Sequence, residues 1–523
     1  MKTGSKIMGA TLVIFIFTLL SRFLGLGREM AIAYSFGATG ETDAFMLALT
    51  IPNIFHSVVG IALATAVIPI FEEYRVQGRR EEIWQVLSTA VNVIIVVIGL
   101  FVLLGAVGSS AIVRVLGPGF PAETAQLAIN LTAIVMPSIL FTTLAGVLGG
   151  ILNANHIFGP VAIGPAVLNL AIIVSALVSF PRLGIYNLAI GTVVGSLLYV
   201  AVQVPALRRV GFKYSLAFNI QNPAVSEMLK MMGPILIVTG ISQIYTMVDL
   251  RFASNLEAGS IAVLNYARKL MQLPQGLFVA AITTAIFPML SKLAAEGKNL
   301  EMAAVLQKAM RGILLLAIPG SMGLIILRNP IVALLFERGA FDLQATARTA
   351  EALFFYSLGL FSLCLYLPLT RAFFALKDTS TPLLILCSTV GLKALFSFVL
   401  VKSLLHCGLA LATSLTVMIN VVVLSLILYR RMPKLFNSSF FNFICKSIIA
   451  ASIMGLVIYG LDIFLIAHFR TDGLMLAMRV VFDIAVGVIT FLTVGLALKM
   501  DEVRYLINLP RKIVNKSKFS ENI

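Results

Sequence analysis

The chain has 523 residues, of which 59% are hydrophobic and only 12% are charged, and its mean hydropathy is +1.00. Soluble domains carry about 25% charged residues, so this composition excludes an ordinary soluble protein and indicates a polytopic membrane protein. The formal net charge is +16, but no basic stripe with interleaved aromatic residues occurs, which favours Lys- and Arg-rich cytoplasmic loops over nucleic-acid binding.

Apolar segments of about 20 residues or more, separated by short polar or Pro- and Gly-containing breaks, predict an all-α fold with about fourteen transmembrane helices. Lys2 and Lys6 precede the first apolar run as in a signal peptide, but Arg22 and Arg28 follow it closely and favour an uncleaved first helix. The predicted spans lie near residues 8–35, 42–72, 84–107, 124–151, 158–180, 185–207, 226–253, 260–293, 302–326, 346–376, 380–402, 406–430, 440–465 and 474–498.

The charge of the loops predicts the orientation of the chain. The loops on one side of these spans hold about twenty Lys and Arg residues, and those on the other side hold about six, including Arg182 and Arg470. Because cytoplasmic loops are the positively charged ones, we expect both termini in the cytoplasm.

The sequence also repeats itself at an offset of about 220 residues, which indicates an internal duplication. Residues 112–120 resemble 331–341, and residues 151–160 resemble 373–382. We therefore predict two parallel six-helix repeats with two added helices, a design that transporters use to hold a substrate between their halves. The predicted domains are an N-terminal lobe at 1–220, a C-terminal lobe at 221–435, two further helices at 436–500 and a basic cytoplasmic tail at 501–523.

Charged residues interrupt the end of the first span and the start of the second. Charges inside a membrane are costly and usually face a polar interior, so this stretch is predicted to line a cavity. Arg28 has two interpretations. It could pair with Glu29 or Asp43 and hold spans 1 and 2 together, or it could bind an anion, since a guanidinium matches phosphate oxygens. The charged residues of this stretch are Arg22, Arg28, Glu29, Glu41 and Asp43.

The second half carries cations in its own spans. Arg268 and Lys269 precede Pro274 within span 8, and a helix break at that depth is tolerated where it lines a cavity. Lys393 lies near the middle of span 11, and Asp249 at the end of span 7 is its predicted partner. That pair could be a structural salt bridge or a moving ion-coupling element.

The sequence contains no paired-carboxylate, Ser/His/Asp or Walker-type constellation, so it does not support catalysis. The His residues are scattered and no Cys lies in a CxxC pair, so no metal or cofactor is expected. The cysteines are interpreted as small packing residues, and they are Cys364, Cys387, Cys407 and Cys445.

Several motifs, taken together and in order, resemble one known family. They read SRFLGLGRE at 21–29, GATGETDAF at 37–45, IPN at 51–53, YARKLMQLPQG at 266–276, LFERGAF at 335–341, RAFFALKDT at 371–379 and GLALATS at 408–414. This combination is similar to the MurJ (MviN) family of lipid II flippases in the MOP exporter superfamily.

The resemblance implies two lobes around a cationic cavity, with a groove at the two last helices for the polyprenyl tail of the substrate. It implies a protein of the bacterial cytoplasmic membrane, not an enzyme, that moves lipid II, an undecaprenyl-diphosphate-linked muropeptide, to the outer leaflet by alternating access. The expected partners are lipid II, membrane lipids and cell-wall synthesis proteins.

The resemblance also assigns roles to individual residues. Glu29 and Asp43 correspond to cavity acids with a gating role. Lys269 stands where the family usually has arginine, so a cation remains but its bidentate fork is lost. The predicted diphosphate ligands are Arg22, Arg28, Arg268 and Lys269.

Two departures from the family pattern bear on mechanism. The basic residue expected after the IPN motif is absent, and only His56 is near. Some members bind sodium through an aspartate, polar residues and a threonine, of which Asp249 and Thr413 match the aspartate and the threonine, and Ser397 could supply a polar residue. Lys393 falls where a neutral ligand would be, so its ammonium could replace the ion, and we predict that this protein does not need sodium there.

Other functions compete with this prediction. A flippase for another polyprenyl-diphosphate-linked glycan and a cation-coupled multidrug exporter are the alternatives among transporters, and spans 13 and 14 count against the exporter. A membrane-embedded glycosyltransferase or acyltransferase would need a carboxylate or histidine cluster at a membrane face. A structural scaffold for cell-wall synthesis would tolerate neutral residues in place of Arg28 and Lys269.

Overall fold

The computed structural model describes residues 2–178, 183–216, 218–219, 221–468 and 473–508. Within these ranges the chain forms helices and turns and no strand. Ten helices are long and apolar enough to cross a membrane, or eleven if one bent pair counts as a single span. The chain is therefore an all-helical, multi-pass membrane protein. The loop residues Arg182 and Arg470, and the predicted basic tail from residue 509 onward, lie outside the described residues.

The described ranges contain nineteen α-helices and two short π-helical segments. The π-helical segments are His56–Gly60, between α2 and α3, and Gln275–Val279, between α11 and α12. The α-helices are α1 (Lys2–Phe36), α2 (Gly40–Phe55), α3 (Ile61–Val76), α4 (Arg80–Val107), α5 (Ser109–Leu116), α6 (Ala122–Val135), α7 (Pro137–Ala154), α8 (Gly159–Leu177), α9 (Tyr186–Arg209), α10 (Pro223–Ala253), α11 (Ser260–Pro274), α12 (Ala280–Ala295), α13 (Asn299–Ile326), α14 (Arg328–Phe336), α15 (Leu343–Leu358), α16 (Leu360–Ala375), α17 (Ser380–Arg431), α18 (Ser438–His468) and α19 (Leu474–Ala497).

The order of these helices repeats along the chain. The series α2, π-helical segment, α3, α4, short α5 and the consecutive pair α6–α7 recurs as α11, π-helical segment, α12, α13, short α14 and the consecutive pair α15–α16. The first residues of the two π-helical segments, His56 and Gln275, are 219 positions apart. The internal repeat predicted from the sequence has an offset of about 220 residues, and the two six-helix lobes stay a prediction. A π-helical segment widens a helix by one residue and often occurs at functional sites.

One compact unit comprises Met1–Val263 together with Arg338–Ala345. In this unit 1, α8 packs against α1 and α9, α7 against α3 and α9, and α10 against α3. Small residues permit these close approaches in place of the hydrophobic burial that drives packing in water. A Cβ on Gly164 of α8 would lie 1.8 Å from the Tyr199 ring of α9, so only glycine fits there.

The second compact unit comprises Leu264–Glu337 and Thr346–Ile523. In this unit 2, α13 packs against α12, α16 and α18, and α18 packs against α19. Helix α17 contains a break at Leu405, whose φ of 49° and ψ of −129° are not helical. The break lies where the sequence predicts the boundary between spans 11 and 12. The predicted lobe boundaries at residues 220 and 435 stay predictions.

Candidate functional site

Arg28 is held on unit 1 by partners from two helices. Its Nη1 donates to Oδ1 of Asn169 on α8 at 3.1 Å, and its Nη2 pairs with Oε1 of Glu29 at 2.5 Å. The amide of Asn169 in turn donates to the carbonyl of Ser21 at 3.2 Å. The Arg28 side chain is 15% exposed and that of Glu29 is 1% exposed. The guanidinium is therefore a fixed cation, tied to α8 as well as to its own helix.

This arrangement separates the two interpretations of Arg28. The sequence allows a pair with Glu29 or Asp43 that would join spans 1 and 2, but Glu29 lies on the same helix, so this pair joins no spans. The link between helices runs instead through Asn169 to α8. The Nε atom of Arg28 is buried and has no hydrogen-bond partner among the described residues, so the guanidinium keeps a donor for a further acceptor.

Arg22 lies one and a half turns earlier on α1 and is exposed. No hydrogen bond or ion pair joins it to Arg28, Glu29 or Asn169 in the described part of the chain. A residue six positions away on an α-helix points to a different face. The structure thus groups Arg28 with Glu29 and Asn169 and leaves Arg22 apart, and the role of Arg22 in a cavity stays a prediction.

Asp43 of α2 caps the start of α11. Its two carboxylate oxygens accept hydrogen bonds from the backbone N–H groups of Gly259 at 2.7 Å and Ala262 at 2.8 Å, and its side chain is buried. A carboxylate at a helix N-terminus satisfies free N–H groups and complements the helix dipole. Asp43 therefore anchors α2 to the beginning of the helix that carries Arg268 and Lys269.

The backbone before α11 requires glycine at this joint. Gly259 has a φ of +85°, and a Cβ there would lie 2.0 Å from the carbonyl oxygen of Ala38. A side chain would therefore clash with the segment that leads into α2. The sequence draws attention to Asp43 but does not predict its contact with the start of α11. The glycine and serine at Gly259–Ser260, directly before an apolar run, are the sequence feature that indicates a helix start there.

Arg268 and Lys269 lie on α11 in unit 2, less than two turns before the helix changes to its π-helical segment at Gln275. Both side chains are half-buried. The neighbouring Tyr266 is fully buried and its ring lies 5.0 Å from that of Phe336 on α14. The ring contact packs α11 against α14 within unit 2.

Lys393 and Thr413 come together in unit 2. The ammonium of Lys393 is fully buried and donates to Oγ1 of Thr413 at 2.6 Å and to the carbonyl of Leu409 at 3.0 Å. Ser397, one turn further along α17, is also fully buried, and its hydroxyl has no hydrogen-bond partner among the described residues. The lysine thus makes the oxygen contacts that a small cation would make. Asp249 belongs to unit 1, and its predicted pairing with Lys393 stays a prediction.

A second charged group lies on α18 and α19, and the sequence analysis did not identify it. Arg479 Nε donates to Oδ1 of Asp462 at 3.0 Å and lies 4.0 Å from Oδ2 of the fully buried Asp483. The same signal that identified Arg28, a charge inside an apolar span, would have found these residues. They link α18 to α19 by an ion pair near the loop that joins the two helices.

Unit 2 also contains an apolar cavity of about 370 Å³ beside this helix pair. Gly487 of α19 lets α18 approach closely, since a Cβ there would lie 2.6 Å from the Ile458 side chain. The wall of the cavity is almost entirely aliphatic and aromatic, and includes Leu316, Gly320, Leu324, Ile458, Gly487 and Phe491. Such a surface suits a hydrocarbon chain.

Comparisons with known proteins place these features in context. The family described as "Lipid II flippase MurJ" matches residues 32–479. The lipid II flippase MurJ of Burkholderia cenocepacia is 32% identical over 432 residues, covering 81% of this chain and 84% of the relative. The probable lipid II flippase MurJ of Rickettsia prowazekii is 27% identical and covers 94% of this chain and 97% of its own.

Solved structures give the same result. A lipid II flippase MurJ in an inward closed conformation matches with a TM-score of 0.80 and 29% identity, covering 94% of this chain and 99% of that one. A multidrug resistance MATE family transporter of the MOP superfamily matches with a TM-score of 0.64 and 12% identity over 81% of this chain and 98% of its own. At that identity the second match concerns the fold alone.

Proposed function

The chain belongs to the lipid II flippase MurJ family, and we propose on that premise that it moves lipid II across the membrane as a transporter without catalytic chemistry. The observation that carries the proposal, beside the family, is the buried Arg28 group. Glu29 already balances the charge of Arg28, but the buried Nε of Arg28 has no acceptor among the described residues, and a bound anion would supply one. The diphosphate of lipid II is such an anion.

Arg28 is the proposed diphosphate ligand of unit 1, and Arg268 and Lys269 are those of unit 2. Arginine binds phosphate oxygens through a rigid fork, and lysine binds them as a point charge. Both cations on α11 are half-buried, which weakens the competition from water. Arg22 is exposed and would contribute through its charge rather than through a fixed contact.

We also propose fourteen spans with both termini in the cytoplasm, in the bacterial cytoplasmic membrane. The break at Leu405 supports counting α17 as two spans, and the bent pair α15–α16 supports one more. The excess of Lys and Arg in one set of loops supports the orientation. Lipid II would move from the inner to the outer leaflet by alternating access, and cell-wall synthesis proteins that use it are proposed partners.

The polyprenyl tail is proposed to occupy the apolar cavity at α13, α18 and α19. The cavity is lined almost entirely by hydrocarbon, and it holds one segment of a chain rather than a whole tail. The tail would enter this cavity from the hydrocarbon of the bilayer, so its binding would depend on packing contacts with the wall rather than on removal of methylene groups from water. Gly487 lies in the wall of this cavity, where a Cβ would press on the end of the Ile458 side chain.

Sodium is proposed to be unnecessary at the Lys393 position. The ammonium already contacts Thr413 and the Leu409 carbonyl, which are the kinds of oxygen ligand that a sodium ion would use. A fixed positive charge there would also repel a second cation.

The deciding experiment measures the leaflet accessibility of lipid II in a strain depleted of its own flippase. Wild-type protein should restore outer-leaflet lipid II, whereas Arg28→Ala and Lys269→Ala should not, at equal amounts of protein in the membrane. Arg114→Ala on α5 is the matched control, since Arg114 is also an arginine near a helix end but is exposed. If both cavity variants restore lipid II as well as the control does, the proposed site is wrong.

A further inference from the structure

Three potential metal ligands that are distant in sequence meet in unit 2. Glu351 lies on α15, and His406 and Cys407 are the first two residues after the break in α17 at Leu405. His406 and Cys407 are buried, whereas Glu351 is exposed. One ligand atom from each residue lies within 4.8 Å of the other two. The group takes no part in the site described above.

The sulfur–nitrogen distance fits a tetrahedral ion, and the carboxylate oxygen lies within 4.8 Å of the other two ligand atoms. The sulfur of Cys407 lies 3.5 Å from Nε2 of His406 and 4.0 Å from Oε2 of Glu351. Zinc bonds of about 2.3 Å to sulfur and about 2.0 Å to nitrogen place these two ligand atoms about 3.5 Å apart in a tetrahedron. The sulfur–oxygen distance needs only a small rotation of an exposed glutamate to match.

We propose that Glu351, His406 and Cys407 bind a zinc-class divalent cation. Thiolate and imidazole are the ligands that favour zinc over calcium or magnesium. The thiolate and the carboxylate together carry two negative charges, so the occupied site would be neutral, which suits a partly buried position. The fourth position would face the open side of Glu351 and take a water molecule.

Binding requires the loss of one proton. The thiol proton leaves as the sulfur–metal bond forms. His406 Nε2 lies 3.2 Å from the carbonyl of Arg348, and the proton in that contact would move to Nδ1 when Nε2 takes the metal. One proton per ion is therefore released to solvent.

The geometry favours a metal over a cysteine nucleophile. In a nucleophilic triad the acid orients the imidazole, and the imidazole activates the thiol. Here the carboxylate of Glu351 contacts the thiol itself. An ion on these ligands would instead join α15 to α17 directly after the break, where Leu405 has a φ of 49°. The sequence shows no metal motif because Glu351 and Cys407 are 56 positions apart.

The test uses the full-length protein purified in detergent, with Zn²⁺ and Co²⁺ as probes. We expect one Zn²⁺ per chain by calorimetry, with release of one proton, and a sulfur-to-cobalt charge-transfer band with Co²⁺. Cys407→Ser and His406→Asn should each weaken binding by about 100-fold or more, which exceeds the usual loss from a supporting residue. Cys387→Ser, which removes an exposed cysteine of the same helix, is the matched control and should bind as the wild type does.

Glu351→Gln distinguishes a loss of metal binding from a loss of folding, because the Glu351 side chain is exposed and glutamine is nearly isosteric with it. It should retain the metal-free melting temperature and still bind Zn²⁺ about 10- to 100-fold more weakly. Equal binding by wild type, Cys407→Ser and Glu351→Gln would overturn the proposal, as would the absence of the cobalt band. Because the readout is metal binding, its outcome is independent of lipid II transport.

Discussion

Replacement of Arg28 should damage the protein in two separable ways. The Arg28→Ala variant removes a cation from Glu29, whose side chain is 1% exposed, and a donor from Asn169. Loss of one partner from a buried ion pair costs about 3–5 kcal/mol. The variant should therefore unfold at a lower temperature and also fail to transport lipid II.

The double variant Arg28→Ala/Glu29→Gln separates stability from function. A neutral amide in place of the buried carboxylate removes most of the electrostatic penalty. What remains is a lost hydrogen bond from Arg28 to Asn169, worth about 0.5–1.5 kcal/mol. Its melting temperature should thus lie well above that of the single variant, whereas transport should remain absent, because the anion ligand is still missing.

Thermal unfolding in detergent and complementation of a flippase-depleted strain measure the two effects. Glu29→Gln alone keeps the guanidinium and measures the effect of losing the carboxylate by itself. Restored transport in the double variant would refute the assignment of Arg28 as a substrate ligand and leave it a structural role only. An Arg28→Ala variant as stable as the wild type would refute the energetic argument.

Three further predictions concern other residues. Asp43→Ala should destabilise the protein by about 2–3 kcal/mol, since two N–H groups at the start of α11 lose a charged acceptor. Gly259→Ala should lower the free energy of unfolding by at least as much, because its Cβ would clash with the carbonyl of Ala38. A melting temperature equal to that of the wild type in either variant would contradict the proposed role of Asp43 as the cap of α11. Neither lipid II transport nor the melting temperature of the wild type should change when sodium is replaced by another cation, because the ammonium of Lys393 occupies the proposed ion position. A sodium dependence in the wild type that is lost in Lys393→Ala would contradict this prediction. Burial raises the pKa of Asp378, in the loop before α17, but hydrogen bonds from Thr381 and the guanidinium of Arg431 outweigh burial and lower it overall. Asp378 therefore stabilises the fold above its unfolded pKa, and this contribution is lost as the pH falls through the lower folded pKa. Asp378→Asn should remove that part of the acid sensitivity, and an unchanged pH profile of unfolding would contradict it.

Much of the architecture could be predicted because its signals are local. Hydropathy over about 20 residues depends on neighbours in sequence, and so do helix breaks at Pro and Gly. The sequence predicts the boundary between spans 11 and 12 at residues 402–406, and the break falls at Leu405. The repeat was visible as short matching stretches, and the helix order follows it.

The partners of individual residues could not be predicted in the same way. Arg28 stands out in the sequence as a charge in an apolar span. Its hydrogen bond to Asn169 could not be predicted, because Asn169 is uncharged and lies 141 positions away. Asp43 was expected to line a cavity, and its cap on α11 depends on residues 216 and 219 positions later. Glu351 and Cys407 share no motif at all.

The sequence by itself thus determined that this is a membrane protein built from repeated apolar helices, and which charges are unusual within them. Those properties follow from the cost of placing polar groups in hydrocarbon, which acts on each segment separately. Only the tertiary structure decided which groups meet, as when the buried ammonium of Lys393 donates to Thr413. Helix packing selects such contacts through small residues and side-chain shape, and these depend on several segments at once.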